Sequence, residues 1–223
     1  MGLRHEVKYE ISLSDMLILR QRLSHIMKND SHAINGVYEI RSLYFDTDSD
    51  KALREKTDGV NMRSKYRIRL YNRDTGFIVL ERKSKINNMT KKDSVRITEA
   101  EARRAAVGDF DFMLEDERPL LSDMYIKMKN EGLRAKTVID YTREPFVFPA
   151  GDVRVTIDYN IRTGLSATDF LNFELPTVPA CGQTAVLEIK WSEFLPDIIK
   201  DAVHLDGRKA DAFSKYAAGR VLI

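Results

Sequence analysis

The chain lacks the features of a secreted or membrane-spanning protein. Its 223 residues include one cysteine, Cys181, which excludes an internal disulfide and a cysteine-based zinc site. No stretch approaches the roughly 20 apolar residues of a membrane-spanning helix, and residues 1–15 lack the apolar core of a signal peptide. We therefore expect a cytoplasmic protein without a membrane span.

The net charge is also small, at +2 from 36 Lys and Arg against 34 Asp and Glu, so bulk charge gives no indication of a nucleic-acid-binding protein. The sequence contains no internal repeat, no low-complexity segment and no linker rich in Pro, Gly and Ser. Hydrophobic residues make up 43%, which is ordinary for a globular protein. We expect one domain that spans residues 1–223.

The residues that are present favour strands over helices. Alternating patterns predict strands at 4–13, 37–45, 63–71, 77–85, 94–98, 136–148, 153–161 and 184–191. Apolar stripes and capping residues predict helices at 14–27, with Ser14 as the cap, and at 48–56, 99–107, 119–131, 194–203 and 211–218. Residues 72–76 predict a hairpin turn. Strands separated by such short gaps favour an antiparallel sheet or barrel with helices packed around it.

Charged residues recur at every second position of these strands, so each set shares one face of its strand. The sets are Glu6, Lys8 and Glu10; Glu39 and Arg41; Arg67 and Arg69; Glu81, Lys83 and Lys85; Ser94, Arg96 and Thr98; Arg154, Thr156 and Asp158; and Glu188 and Lys190. A sheet with one solvated face explains any single set. The dominance of Lys and Arg across most strands favours a closed sheet that concentrates positive charge in its lumen.

A lumen lined with bases needs an occupant of opposite charge, because buried like charges are unstable. A chain of phosphates suits this position, since arginine binds phosphate oxygens in a bidentate way and lysine adds a point charge. The interleaved glutamates suit a divalent cation that bridges carboxylate and phosphate oxygens. Bases for phosphate together with carboxylates for a metal are the equipment of phosphoryl transfer.

Six short motifs follow one another along the chain and carry a resemblance to a known family. They are Arg4-His5-Glu6-Val7-Lys8-Tyr9, Ser42-Leu43-Tyr44-Phe45-Asp46-Thr47, Lys65-Tyr66-Arg67-Ile68-Arg69, Leu80-Glu81-Arg82-Lys83, Val186-Leu187-Glu188-Ile189-Lys190 and Phe213-Ser214-Lys215-Tyr216. Together they resemble the VTC domain, the polyphosphate polymerase module of the triphosphate tunnel metalloenzymes, which also include CYTH-type triphosphatases. The resemblance extends from residue 4 to about residue 219.

The resemblance implies an α+β fold, an eight-stranded antiparallel tunnel with helices around it. It implies a polymerase, of the stand-alone bacterial type, that transfers the terminal phosphate of ATP to a growing inorganic polyphosphate chain, with Mn²⁺ or Mg²⁺ as cofactor. Any membrane-protein partner stays open, and no nucleic acid is implied. The catalytic bases implied are Lys8, Arg67, Arg69 and Lys83; the phosphate-binding bases are Arg96, Arg143, Lys190 and Lys215; and the metal ligands are Glu188 and Glu6.

Two other functions stay open. The triphosphatase branch begins with a Glu-x-Glu-x-Lys pattern, but Arg4 stands at the position of the first glutamate, which argues against a hydrolase of triphosphate or nucleotides. A non-catalytic module that binds polyphosphate or RNA could use the same basic lining. Glu188 beside Lys190 argues for a metal and catalysis, because a simple anion-binding site gains little from a carboxylate.

Overall fold

The computed structural model describes residues 4–86, 89–182 and 184–220 of the chain. Its strands are β1 His5–Ser12, β2 Lys28–Asn29, β3 Tyr38–Asp46, β4 Met62–Tyr71, β5 Ile78–Ile86, β6 Met89–Ile97, β7 Arg134–Phe148, β8 Val153–Thr163, β9 Val178–Pro179 and β10 Thr184–Trp191. Its helices are α1 Leu13–Ile26, α2 Lys51–Thr57, α3 Glu99–Ala106, α4 Pro119–Glu131, α5 Asp197–Val203 and α6 Lys215–Arg220. None of the helices in these residues is long and apolar enough to cross a membrane.

Each of the eight predicted strands is present, and two further strands of two residues, β2 and β9, are too short to show a periodic pattern. The predicted start of β6 was wrong, because this strand begins at Met89 rather than Ser94. Its first residues are mostly polar and carry little strand propensity, but they pair along the end of β5, with Met89 opposite Ile86. In the predicted hairpin turn, Asn72 and Arg73 have φ angles of 51° and 56°, as a type I′ turn requires.

The start of the first helix also differs from the prediction. Ser12, not Ser14, caps α1: its hydroxyl accepts a 3.1 Å hydrogen bond from the amide of Asp15, and its own amide donates to the Asp15 carboxylate at 2.9 Å. The last helix, α6, begins at Lys215 rather than at Asp211, because the Asp211 amide donates to the carbonyl of Lys8 in β1 at 2.9 Å. The segment before α6 therefore runs along the edge of the sheet.

The strands form one antiparallel sheet in the order β1-β10-β8-β7-β3-β4-β5-β6, with β2 added to β7 and β9 to β8. The sheet curls until its two edges meet. A β-bridge joins Arg4, just before β1, to Thr90 of β6, and the ammonium of Lys83 on β5 lies 2.8 Å from the Glu6 carboxylate on β1. The predicted fold class, α+β with helices around an antiparallel curled sheet, is confirmed.

Helices cover the outer face of the curled sheet, where the apolar positions of the strands lie. One cluster packs α4 against β3, β4 and β5 around Leu121, and another packs α1 and α5 against β8 and β10 around Leu19. Helix α6 instead enters the interior, where the Tyr216 hydroxyl donates to Asp46 at 2.8 Å. A side chain at Gly219 would overlap the terminal methyl group of Ile139, so the close approach of α6 to β7 favours glycine there.

Candidate active site

The inner face of the sheet encloses a cavity of ≈ 240 Å³ that opens into a wider mouth of ≈ 460 Å³. Lys8, Lys65 and Lys83 line both spaces, so the two adjoin each other, and we refer to them together as the passage. The bases of the cavity outnumber its carboxylates, and they are Arg4, Lys8, Lys65, Arg67, Arg69, Lys83, Lys92, Arg143, Arg154, Lys190 and Lys215. Its carboxylates, among the described residues, are Glu6, Glu81 and Glu188. This excess of positive charge gives the cavity a positive potential, which suits an anionic ligand.

Strand β4 supplies two guanidiniums that are held in place by their neighbours. Nε of Arg67 lies 2.6 Å from the Glu81 carboxylate, and its Nη1 donates to the Tyr44 hydroxyl at 3.1 Å. Arg69 is 4% exposed and donates from Nη2 to the Tyr141 hydroxyl at 2.9 Å. Burial alone would raise the pKa of Glu81, but Arg67 and Arg69 hold that pKa well below its usual range.

A second group of bases surrounds the buried carboxylate of Asp158 on β8. Arg143 contacts both oxygens, at 2.6 and 2.7 Å, and the ammonium of Lys215 bonds the same carboxylate. Burial would raise the pKa of Asp158, but these two cations lower it to about 2. The ring of Tyr141 connects this group to the first, because its centroid lies 4.6 Å from the Lys215 ammonium and 5.9 Å from the Arg69 guanidinium.

Glu6 on β1 and Glu188 on β10 lie close to one another and share two lysines. The ammonium of Lys8 lies 3.2 Å from Glu6 and 3.6 Å from Glu188, and that of Lys190 lies 3.6 and 2.9 Å from the same two residues. Burial and Glu188 raise the pKa of Glu6, but the lysines, with Lys83, lower it to about 2. Burial would also raise the pKa of Glu188, but Lys190 and Lys8 hold it well below its usual range, so both carboxylates are ionised, as metal ligands must be.

The donor set fits a divalent cation that phosphate also binds. Mg²⁺ commonly takes one or two protein carboxylates and completes its shell with phosphate oxygens and water, and Glu6 with Glu188 supplies two carboxylates at one place. Groups of three or more His, Cys, Asp or Glu side chains suited to a metal do not occur in the described ranges. These two residues would thus hold the ion together with a phosphate ligand, displacing the ammonium groups from part of their present contacts.

Of the predicted site residues, the structure places all but one on the wall of the cavity. Arg96 is exposed, lies 4.9 Å from the ring of Phe77 and donates to the carbonyl of Gly76 at 2.7 Å. Because β6 starts earlier than predicted, Lys92 stands opposite Lys83, while Arg96 stands opposite Val79 toward the other end of the strand. Lys92, rather than Arg96, is the base that β6 brings into the cavity.

The charges predicted for the inner face of β3 also lie elsewhere. Arg41 makes a bidentate contact with Asp140 at 2.8 Å and stacks 5.5 Å from Phe173, and Glu39 lines the same groove on the outer face. The inner face of β3 carries Tyr44 instead. Tyr44 and Tyr141 were not predicted as site residues, because tyrosine in a strand usually indicates packing.

Lys65 was also not predicted as a site residue, although its spacing in the sequence places it beside Arg67. Lys65 precedes Arg67 by two residues, so it shares the inner face of β4, and it lines both the cavity and the mouth. It stands directly opposite Lys83, which stands opposite Lys92. We call Lys65, Lys83 and Lys92 the lysine row.

The curled antiparallel sheet with helices around it is also the fold of a solved structure of another protein. A candidate adenylyl cyclase from Hippeastrum with a dominant triphosphatase activity matches with a TM-score of 0.58 and 16% identity, over 99% of this chain and 96% of its own. A candidate adenylate cyclase from Bacillus halodurans matches with a TM-score of 0.49 and 14% identity, over 85% of this chain and 82% of its own.

The VTC domain family model matches residues 3–223 of the chain. The chain therefore belongs to the VTC domain family, within the class of triphosphate tunnel folds. A search of the curated proteins finds no match.

Proposed function

We propose that the protein is a polyphosphate polymerase inside whose basic passage the end of a growing inorganic polyphosphate chain attacks the terminal phosphate of ATP. The new bond lengthens the chain by one phosphate, and the bond between the terminal and middle phosphates of ATP breaks to release ADP. The observation that carries the proposal is the excess of Lys and Arg over carboxylates on the cavity wall. Such an excess favours a polyanion as occupant, and each phosphate unit of a polyphosphate chain carries negative charge. Membership of the VTC domain family supports the same function.

The chain's own residues would accelerate transfer through position and charge. The guanidiniums of Arg67 and Arg69 are aligned by Glu81, Tyr44 and Tyr141, so they offer fixed donors to phosphate oxygens. Fixed donors stabilise the charge that develops in the transition state without reorganising during the reaction. Lys8 and Lys83 would lower the repulsion between the acceptor phosphate and the terminal phosphate of ATP.

Glu188 and Glu6 would hold Mn²⁺ or Mg²⁺, which supplies Lewis-acid polarisation of the transferred phosphoryl group. Arg143, Lys190 and Lys215 would bind phosphate oxygens on either side of the reacting centre. Each of them has a carboxylate partner in the structure, at Asp158 or Glu188, so a phosphate would compete for cations that are already positioned.

A triphosphatase is the second candidate. It is favoured by the Hippeastrum protein, which has a dominant triphosphatase activity and the same fold. Against it stands Arg4, where the triphosphatase pattern has glutamate; its guanidinium lies 3.0 Å from Asp152, at the mouth of the passage. An arginine there cannot orient a water molecule as a carboxylate does.

The test is to incubate the purified protein with ATP and Mn²⁺ and to separate long, acid-labile polymer from orthophosphate. The proposal expects polymer, and it expects Glu188→Gln to remove most polymer formation while the protein still binds polyphosphate. Orthophosphate as the sole product would favour the triphosphatase. Tight polyphosphate binding that is independent of metal and of Glu188, without any product, would favour a non-catalytic binding module.

A further inference from the structure

The lysine row sets three like charges directly opposite one another. Lys65, Lys83 and Lys92 occupy facing positions of β4, β5 and β6 on the inner side of the sheet. Like charges in facing positions destabilise an antiparallel sheet. The part of this repulsion that carboxylates do not offset costs stability, and a bound anion would relieve that cost.

Lys65 differs from the other two members of the row. Lys83 contacts Glu6 at 2.8 Å, and Lys92 contacts Glu81. Within the described ranges, Lys65 has neither a carboxylate within salt-bridge distance nor a hydrogen-bond partner. Its ammonium is therefore available to an incoming anion without breaking an existing ion pair.

The surroundings of Lys65 favour the arrival of negative charge. The pKa of Lys65 lies well below its usual range, mainly because the side chain is buried. The nearby cations Lys83, Lys8 and Arg67 lower it further, and the Glu6 carboxylate offsets only part of this effect. Lys92 adds a further cation at the end of the row. A bound phosphate would reverse the repulsion and favour the charged ammonium, so anion binding and protonation of Lys65 support one another.

The position of the row in the passage indicates which phosphate it meets. Arg67 and Arg69 line the cavity but not the mouth, whereas Lys65 and Lys83 line both spaces. Beyond the row, the mouth continues with Lys56, Arg63 and Lys85. A short anion satisfied by the guanidiniums of the cavity need not reach the row, but a chain that fills cavity and mouth must pass Lys65.

We propose that Lys65 is the central ligand of a separate phosphate subsite, formed by the lysine row at the junction of cavity and mouth, which holds long polyphosphate beyond the phosphates bound by Arg67 and Arg69. This subsite rests on the proposed function in taking polyphosphate as its ligand. It requires neither ATP nor turnover, and its test uses neither.

The test compares two anions on three proteins by titration calorimetry without metal or nucleotide. The anions are tripolyphosphate and long-chain polyphosphate, and the proteins are wild type, Lys65→Gln and Lys91→Gln. Lys91 is a matched control, because it lies on the outer face of β6 beside Lys92 and pairs with Asp93 at 3.1 Å. All three proteins are checked for a cooperative thermal transition, and Lys65→Met replaces Lys65→Gln if the latter does not fold.

Loss of a charge-assisted hydrogen bond predicts that Lys65→Gln weakens long-chain binding about tenfold or more. Lys65→Gln should weaken tripolyphosphate binding by less than about threefold, which is less than the loss of one charge-assisted hydrogen bond would cause. Lys91→Gln should change the binding of neither anion. Lys65→Arg should restore most of the long-chain affinity. Equal weakening of both anions by Lys65→Gln, or no weakening of either, would overturn the subsite. Wild-type protein that binds the long chain in this way but makes no polymer would overturn the proposed function and leave the subsite standing.

Discussion

The hydroxyl of Tyr141 accepts a 2.9 Å hydrogen bond from Nη2 of Arg69, and the Tyr141 ring also faces the cations of Arg143 and Lys215. One side chain thus holds cations from β4, β7 and α6 around a single point. Tyr141→Phe removes the hydrogen bond but keeps the ring, so we expect a rise in KM of about tenfold, as for a hydrogen bond to a charged group. Steady-state kinetics with ATP measure it.

A control at a second buried tyrosine distinguishes loss of cation positioning from a general effect on folding. Tyr38→Phe provides the control, because Tyr38 is buried on the same sheet but does not line the cavity. It should leave KM unchanged. A Tyr141→Phe protein with wild-type KM would contradict the positioning role of the hydroxyl.

Glu81 is 2% exposed and balances three cations, Arg67, Arg69 and Lys92. Glu81→Gln leaves these cations without their counter-ion, and breaking a buried ion pair from one side costs about 3–5 kcal/mol. We expect a lower melting temperature for Glu81→Gln that tripolyphosphate restores in large part, since the anion replaces the lost charge. Melting curves with and without the anion measure this, and a loss that the anion fails to reverse would count against an anion site beside Glu81.

The buried carboxylate of Asp158 makes the stability of the fold depend on pH at low pH. Its pKa is lowered to about 2 in the folded protein, against about 3.9 for an unfolded aspartate. Because the folded pKa is the lower one, the carboxylate stabilises the fold above pH ~4 by about 2–3 kcal/mol, and this contribution is lost as the pH falls toward 2. Denaturant unfolding should show the stability difference between wild type and Asp158→Asn shrinking across that interval; a constant difference would contradict the assignment.

Strand β6 offers a comparison between the base expected from sequence and the base found in the cavity. Lys92 lines the cavity and contacts Glu81, whereas Arg96 lies over the ring of Phe77 and is not part of the cavity lining. We expect Lys92→Ala to lower turnover of ATP by about tenfold, the loss of one charge-assisted contact, and Arg96→Ala to change it by less than about twofold. A larger loss of turnover for Arg96→Ala than for Lys92→Ala would instead support Arg96 as the phosphate-binding base of β6, as predicted from the sequence.

The strands could be predicted because alternation is a local signal. The spacing of Arg67 and Arg69 placed them on one face of β4, and the resemblance to the VTC domain implied that this face lines the tunnel. What could not be predicted depends on pairing between distant segments. The exclusion of Arg96 follows from the register of β6 on β5, and the counter-ion role of Asp158 follows from the approach of α6 to β8. Alternation shows which side chains share a face, but it does not show which face turns inward, as Arg41 on the outer side of β3 illustrates.

The most direct test of the account is the rate at which Arg67→Ala and Arg69→Ala convert ATP to polyphosphate, with Arg103→Ala as the control. Arg103 is an exposed residue of α3 that pairs with Glu99 at 2.6 Å, far from the lining of the passage. A charge-neutralising arginine in phosphoryl transfer contributes about 10³–10⁵ in rate, so both cavity variants should lose nearly all polymer formation while keeping the wild-type fold. The control should match wild type. Polymer formation within about tenfold of wild type in both cavity variants, far short of that factor, would contradict the account.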